Sequence, residues 1–363
     1  MRKTKIIATL GPATETEEII LKLIEAGVDW FRLNLKYNTQ KWHQDKVDLI
    51  RKIAKKNKLM IGIIADIPNF KKAFEIKDID MIALSYLKKA KEVEDLKKEI
   101  EKKKLQIGVI AKIENEKALE NLEEIIEMAD GIMIARGDLG REIPLERLAF
   151  WQKKIVTMTR NAGKSVIVAT EMLKSMTANP SPTRAEATDV ANAVFNGTDA
   201  VMMSEETSMG NYPIKAAEYM NRICEFNENR ETIAPPSREK NNLSEVIIDA
   251  AINTIKANRN LIDRIVVFSE SGKSIALLSS YRLEKPIIGI SNNEIILNRV
   301  NLCFGVTPYF CKFEKKDFNI DDPVFEKLKK EKLLDKGEVV MVIHGNNWYG
   351  KGKTSDISLK VIE

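Results

Sequence analysis

Lys112, Glu114, Arg136 and Asp138 stand at the ends of two apolar runs in IAKIENEKALENLEEIIEMADGIMIARGDLGREIP, residues 110–144. The runs GVIA and GIMIA have strand character, and the stretch between them has the apolar period of an amphipathic helix, so the segment reads as a βαβ unit. Two carboxylates one strand apart suit a divalent cation that keeps waters and also binds an oxyanion. A lysine and an arginine beside them suit a phosphate or carboxylate.

The elements that must position these groups repeat along the chain. Eight short apolar runs, each followed by a helical pattern, span residues 5–10, 30–35, 60–66, 81–85, 107–113, 131–136, 165–170 and 200–204. Near-continuous apolar strands separated by helices predict a parallel sheet covered on both faces, and eight such units match a closed (β/α)8 TIM barrel better than an open sheet. Residues 1–230 are assigned to the barrel, 231–242 (ETIAPPSREKNN) to a linker, and 243–363, where strands and helices alternate again, to a smaller α/β domain. Barrel enzymes place their chemistry at the C-terminal strand ends. Arg32, Asn34, Asp66, Ser85, Lys112, Glu114, Arg136, Asp138, Thr170, Glu171, Ser204 and Glu206 all fall there.

Composition narrows the class. The net charge of +5 arises from 58 basic and 53 acidic residues spread along the chain, and the densest run, from Lys88, mixes signs at helical spacing. That pattern predicts a solvated helix face and no nucleic-acid partner. Cys224, Cys303 and Cys311 are too scattered for a disulfide framework or a thiolate metal site, and no apolar run is long enough to span a membrane. With Met1 leading directly into a strand, a cytoplasmic protein without membrane association is expected. His43 and His344 lie away from the strand tips, which argues against histidine acid–base or His-ligated zinc chemistry in the barrel.

With these residues in view, the chain resembles the pyruvate kinase family over nearly its whole length. The resemblance rests on TKIIATLGPATET, on AKIENEKALENLEEIIEMADGIMIARGDLGREIP, on VIVATEMLKSMTANPSPTRAEATDVANAVFNGTDAVM and on MSEETSMGNYP. It implies that Glu114 and Asp138 hold Mg²⁺ or Mn²⁺ against the carboxylate and enol oxygens of phosphoenolpyruvate or pyruvate. It further implies that Arg32 and Lys112 neutralise the transferring phosphoryl group, and that Gly137 and Asp138 offer backbone N–H groups to the substrate carboxylate. Thr170 and Ser204 are then expected near the methylene carbon protonated in the enol-to-keto step. Phosphoryl transfer depends on charge neutralisation and positioning, and an enolate needs a cation at its oxygen.

The departures are as specific. The family inserts a lid domain after the third barrel strand; here Asp66 is followed by Ile67, Pro68 and Asn69 and the fourth strand begins near Met81, so the lid is expected to be missing. The family's K⁺-binding serine and threonine are Lys36 and Ile67 here, in a monovalent-cation region that also includes Asn34 and Asp66. Either the Lys36 ammonium takes the potassium position or that site has been lost and Lys36 points to solvent; K⁺ is not expected to be required in either case. The family lysine that reaches the nucleotide phosphates is Met209, its histidine near the second strand is Tyr37, and Glu171 and Glu205 replace a glutamine and a glycine. Each change disfavours a polyphosphate, so ADP or ATP is doubtful as a partner.

In the second domain, Ser269, Ser271, Gly272, Lys273 and Ser274 (SESGKS) resemble the family's effector-phosphate loop; helix capping explains the same residues. The later loop with Trp348, Lys351 and Lys353 could cover such a ligand. The resemblance also implies a homo-oligomer, a dimer or tetramer, through the helix near Thr183–Asn196. Three readings follow: a lidless enzyme whose phosphoryl transfer to ADP is weakened, Mg²⁺-dependent enolate chemistry on a 2-oxo acid without nucleotide (a decarboxylase or lyase), or a non-catalytic metabolite sensor.

Overall fold

The computed structural model describes residues 2–72, 74–228, 230, 233–239, 242–312, 323–345 and 354–363. The chain divides into two compact units, Met1–Pro236 and Ser237–Glu363.

The first unit is a closed eight-stranded parallel barrel with strands in sequence order: β1 Lys5–Thr9, β2 Trp30–Asn34, β3 Gly62–Ile67, β4 Met81–Leu84, β5 Gly108–Ile113, β6 Gly131–Ala135, β7 Ser165–Ala169 and β8 Ala200–Met203. Side chains alternate faces along each strand. Ile6, Ala8, Phe31, Leu33, Ile63, Ala65, Val109, Ala111, Ile132, Ile134, Val166 and Val168 pack outward into one apolar core with Ile20, Leu23, Val47 and Ile50 of the surrounding helices. Thr9, Arg32, Asp66, Ser85, Lys112 and Glu114 therefore have inward parity. Trp30 is fully buried on the inner face, and a Cβ at Gly62 would overlap its indole, so only glycine fits there.

A fourfold device at the N-terminal mouth was not legible as a repeat in the sequence. Asp29, Asp80, Asp130 and Asp199 each precede an even-numbered strand and clamp one residue of the strand before it. The Asp Oδ2 accepts the N–H of Ile6, Ile63, Val109 or Val166 at 2.8, 2.7, 2.8 and 3.0 Å. In return the Asp N–H donates to the carbonyl of that same residue at 2.9, 3.1, 2.8 and 3.0 Å. Backbone groups that have no ladder partner at the strand start are thus satisfied.

Two local features differ from the sequence reading. The helix expected between β5 and β6 is two, Glu116–Glu120 and Leu122–Met128. The break falls at Asn121, whose side-chain amide donates to the carbonyls of Lys88 and Lys117, the local competition that makes asparagine a poor helix-interior residue. A short helix, Arg136–Glu142, begins directly at the end of β6, so Asp138 lies in its first turn and not on an extended strand tip. The mixed-charge run is a solvated helix, Ala90–Lys102, laced with Lys91–Asp95 and Lys98–Glu94 ion pairs.

The second unit is a five-stranded sheet in the order β11-β10-β9-β12-β13, built from β9 Arg264–Phe268, β10 Ile287–Ser291, β11 Val306–Phe310, β12 Val339–His344 and β13 Asp356–Val361. Only β13 is antiparallel. Val266, Phe268, Ile288, Ile290, Phe325, Leu328, Val340 and Val342 form one of its apolar clusters. No helix among the described residues is long and apolar enough to cross a membrane.

Candidate active site

The inward-facing groups at the C-terminal end of the barrel form one buried network across β1 to β5. Arg32 Nε donates to Asp66 Oδ2 at 2.8 Å, and Arg32 Nη1 to Thr9 Oγ1 at 3.1 Å. Asp66 Oδ1 accepts from Ser85 Oγ at 2.9 Å. The Lys112 ammonium then closes the network, 2.7 Å from Ser85 Oγ, 3.1 Å from Asp66 Oδ2 and 2.6 Å from Glu114 Oε1. Tyr86 N–H completes Glu114 at Oε2, 2.7 Å away. Arg32, Asp66, Ser85, Lys112 and Glu114 are all buried.

Charge placement follows from who shares whom. Burial pushes the Asp66 carboxyl upward, but Lys112 and Arg32 outweigh it and hold the group down at about 2. Burial depresses the Lys112 ammonium, and Asp66 and Glu114 together overcome that and raise it. Glu114 has only a share of Lys112, so burial wins and its carboxyl is raised despite that ammonium and the Tyr86 N–H. Two cations and two carboxylates in one buried cluster make a site whose charge is balanced only while every member stays.

Asp138 offers the second carboxylate. Its side chain is 47% exposed, with only a loose 3.8 Å approach from Arg141, so its oxygens are open to a ligand. Glu114 supplies hard oxygens just past the end of β5 and Asp138 from the first turn of the helix after the adjacent β6, and among the described residues no cluster of three or more His, Cys, Asp or Glu side chains is built for a metal. That donor set fits Mg²⁺ or Mn²⁺, which keep waters and take oxygens from a bound anion, and does not fit a closed all-protein cage.

Thr170 and Ser204 reach the same rim by different means. Thr170, just past β7, has φ = +67°, and Glu171 follows at +54°. For a β-branched residue this is a strained conformation of the kind that gathers at functional sites. Its Oγ1 accepts the Gly137 N–H at 2.8 Å and donates to the Ala169 carbonyl at 2.6 Å. The Ser204 hydroxyl is buried without a hydrogen-bond partner among the described residues, at the end of β8 on the inward parity of Met202. A buried hydroxyl left unpaired costs about 1–3 kcal/mol, so it stands as an open polar contact inside the barrel mouth.

One sequence expectation is corrected, and one left open falls to its second alternative. Arg136 is not an anion ligand beside Lys112: it continues the outward parity of Ile132 and Ile134, and its guanidinium bonds Asp189 and the carbonyls of Thr170 and Glu171 behind the sheet. Lys36 does not stand against Asp66. Its side chain is exposed, with its ammonium 5.9 Å from the Tyr37 ring centroid, and the ammonium that meets Asp66 is that of Lys112. Asn34 Oδ1 accepts the Lys36 N–H in a local turn.

Thr9 was missed, and Ser85, named as a strand tip, was given no role, although inward parity at a strand end carried the signal for both. Glu206, buried at the end of β8, braces the mouth by accepting the N–H groups of Leu173 and Ser204 at 3.0 and 2.7 Å. In the second unit, Ser269 Oγ accepts the Gly272 N–H at 3.0 Å and Ser271 Oγ the Lys273 N–H at 3.5 Å, turn bonds just ahead of the helix Lys273–Ser279, whose N-cap Gly272 offers no side-chain cap. Gly272 has φ = +76°, Lys273 is exposed, and Ser274 Oγ lies 2.5 Å from Thr354 Oγ1. Trp348, Lys351 and Lys353 lie outside the described residues.

A family model for "Pyruvate kinase, barrel domain" matches residues 1–71 and 66–217, and one for "Pyruvate kinase, alpha/beta domain" matches 245–361. The chain belongs to the pyruvate kinase family. The pyruvate kinase of Sporosarcina psychrophila is 30% identical over all of this chain and 81% of its own length. That of Staphylococcus aureus is 29% identical with the same coverage, and that of Clostridium perfringens 28% identical over 95% of this chain and 96% of its own. Within a pyruvate kinase barrel, the Arg32–Asp66–Lys112–Glu114 network lies at the strand ends where this architecture puts chemistry.

Proposed function

We propose that this protein is a lidless member of the family that acts on phosphoenolpyruvate or pyruvate with Mg²⁺, and that its phosphoryl transfer to ADP is weakened. The observation that carries the reading is the Lys112 ammonium held between Asp66, Glu114 and Ser85, with Arg32 also on Asp66 Oδ2. Two buried cations at one point of the mouth suit the charge that builds up on a transferring phosphoryl group or an enolate oxygen. Mg²⁺ held by Glu114 and Asp138 would supply Lewis-acid charge at the substrate oxygens. Arg32 and Lys112 bind and neutralise the phosphoryl group. The Gly137 and Asp138 N–H groups orient the carboxylate, which must share the Gly137 N–H with the Thr170 hydroxyl that accepts it now. The unpaired Ser204 hydroxyl and Thr170 flank the carbon that gains the proton.

Loss of the lid is supported at one place in the chain. The barrel match breaks at residues 66–71, and the alignment with the Sporosarcina relative runs over 478 positions for a chain of 363 residues. Between β3 and β4 lies only residues 68–80, with a short helical turn at Phe70–Lys72. Without a lid, water reaches the nucleotide side and every electrostatic contact there weakens.

A second reading, enolate chemistry on a 2-oxo acid without nucleotide, is favoured by Met209, 72% exposed where the resemblance expects a phosphate-binding lysine, and by the exposed Glu205. In a coupled assay, pyruvate formation from phosphoenolpyruvate and ADP above the rate of Lys112→Met supports the first reading. A rate equal to that variant, together with proton exchange at pyruvate C3 in D₂O without nucleotide, moves the assignment to the second. The C-terminal loop is proposed to take a phosphorylated effector through Lys273 and Ser274, and the helix Arg184–Phe195 to form a homo-oligomer contact; sedimentation with and without phosphate tests both.

A further inference from the structure

Thr170 and Glu171 are consecutive left-handed residues, and one guanidinium holds both. Arg136 Nη2 donates to the Thr170 carbonyl at 2.9 Å and to the Glu171 carbonyl at 3.2 Å, and its Nε reaches the Thr170 carbonyl at 3.3 Å. Nη1 is committed elsewhere, at 2.7 Å from Asp189 Oδ1 and 3.3 Å from Gln152 Oε1. Sulfur of Met172 lies 2.8 Å from Nη2. A strained backbone persists only where its surroundings over-determine it, and here the surroundings are this buried side chain. The circuit closes on Arg136's own neighbour, because the Thr170 hydroxyl accepts the Gly137 N–H.

We propose that Arg136, anchored by Asp189, is a positioning residue that keeps Thr170 left-handed and thereby sets the Thr170 hydroxyl against the Gly137 N–H. Its functional half rests on the reading of Gly137 as a contact for the substrate carboxylate and of Thr170 beside the carbon that gains the proton; its structural half stands without it. Arg136 itself touches no substrate, since its side chain leaves β6 on the outer face of the sheet. Lysine cannot reproduce the arrangement, because a point charge lacks the planar fork that serves two carbonyls and a carboxylate at once. Asp189 is 37% exposed, so removing the guanidinium leaves its carboxylate solvated, and Arg136→Met is expected to fold.

The test reads the Gly137 amide by hydrogen exchange in protein labelled with ¹⁵N-glycine, with Gly131 of β6 as internal reference. Arg136→Met is expected to speed exchange at Gly137 by about tenfold while Gly131 is unchanged, with Arg136→Lys and Asp189→Asn in between. An unchanged Gly137 rate in a variant that keeps Gly131 protected overturns the proposal. If Arg136→Met does not fold, Arg136→Lys and Asp189→Asn are read by the same criterion. Calorimetry with Mg²⁺ and oxalate separates the two halves. Wild-type binding that weakens about tenfold in Arg136→Met supports the functional half, and equal binding in both overturns it while the substrate reading stands. Absence of oxalate binding to the wild type removes the substrate reading, and Gly137 exchange still decides the clamp.

Discussion

Both oxygens of Asp66 share the ammonium of Lys112 almost equally, at 3.2 Å from Oδ1 and 3.1 Å from Oδ2. Because Arg32 and Ser85 use the same carboxylate, Asp66 is shared by two buried cations, Arg32 and Lys112. Removing it leaves charges uncompensated in the interior, which typically costs about 3–5 kcal/mol. Asp66→Asn is therefore expected to lower the unfolding free energy read from urea titration by that amount at neutral pH. A change below about 1 kcal/mol, the range of exposed ion pairs, would show that solvent enters the cluster.

Acid should titrate the same interaction. The Asp66 carboxyl is held at about 2 in the fold, against about 3.9 for an unperturbed aspartate. A depressed folded value means the stabilisation is complete above the unfolded pKa and is lost as pH falls through the folded one. The stability advantage of the wild type over Asp66→Asn should shrink by about 2 kcal/mol between pH 5 and pH 2. Urea curves at four pH values across that window give the slope; a flat difference excludes Asp66 as its source.

The barrel was legible because eight apolar runs, each followed by a helical pattern, are the direct imprint of a sheet buried on both faces. The site was legible where parity alone decides: Arg32, Asp66, Lys112 and Glu114 share the inward face with Thr9 and Ser85, and two-residue counting from Trp30 reaches Arg32, from Ile64 Asp66, and from Ile110 Lys112 and Glu114. Arg136 was misread because its type suggests an anion ligand while its parity, two residues past Ile134, turns it outward. The left-handed pair Thr170–Glu171 leaves no mark of its own in composition, since neither is glycine or asparagine. The repeated aspartates escaped notice because their spacing varies with helix length, although each lies immediately before an even strand.

Those aspartates make a ranked prediction. Asp80 and Asp199 are nearly fully buried, whereas the side chains of Asp29 and Asp130 are 21% and 27% exposed. Loss of a buried acceptor strands the N–H it served, at about 1–3 kcal/mol, and water relieves part of that where it can enter. Asp80→Ala and Asp199→Ala should each destabilise more than Asp29→Ala and Asp130→Ala in thermal unfolding. All four lie at the mouth opposite the candidate site, so oxalate affinity should not follow the stability order.

Potassium should be dispensable. The Asp66 carboxylate is already satisfied by Lys112, Arg32 and Ser85, and Ile67 brings a buried alkyl group, so that carboxylate has no need of a monovalent cation. Turnover or pyruvate C3 exchange should be the same in K⁺ and in tetramethylammonium. Lys36→Ser should leave it so, because the exposed Lys36 ammonium does not occupy the position. A K⁺ requirement that appears only in Lys36→Ser would instead place that ammonium at Asp66 during the reaction.

Thr170 separates backbone strain from side-chain chemistry. Alanine and glycine both delete the hydroxyl that accepts the Gly137 N–H, so both should change oxalate binding in the same direction. They differ in how they meet φ = +67°, which an L residue adopts at a cost of about 1–2 kcal/mol and glycine adopts freely. Glycine gives back part of that difference through the greater freedom of its unfolded chain, so Thr170→Gly should exceed Thr170→Ala in stability by about 1 kcal/mol. Paired urea titrations measure it. If alanine is the more stable of the two, the left-handed turn at the end of β7 relaxes once the hydroxyl is gone, and the strain belongs to the Thr170–Gly137 bond and not to the backbone that carries it.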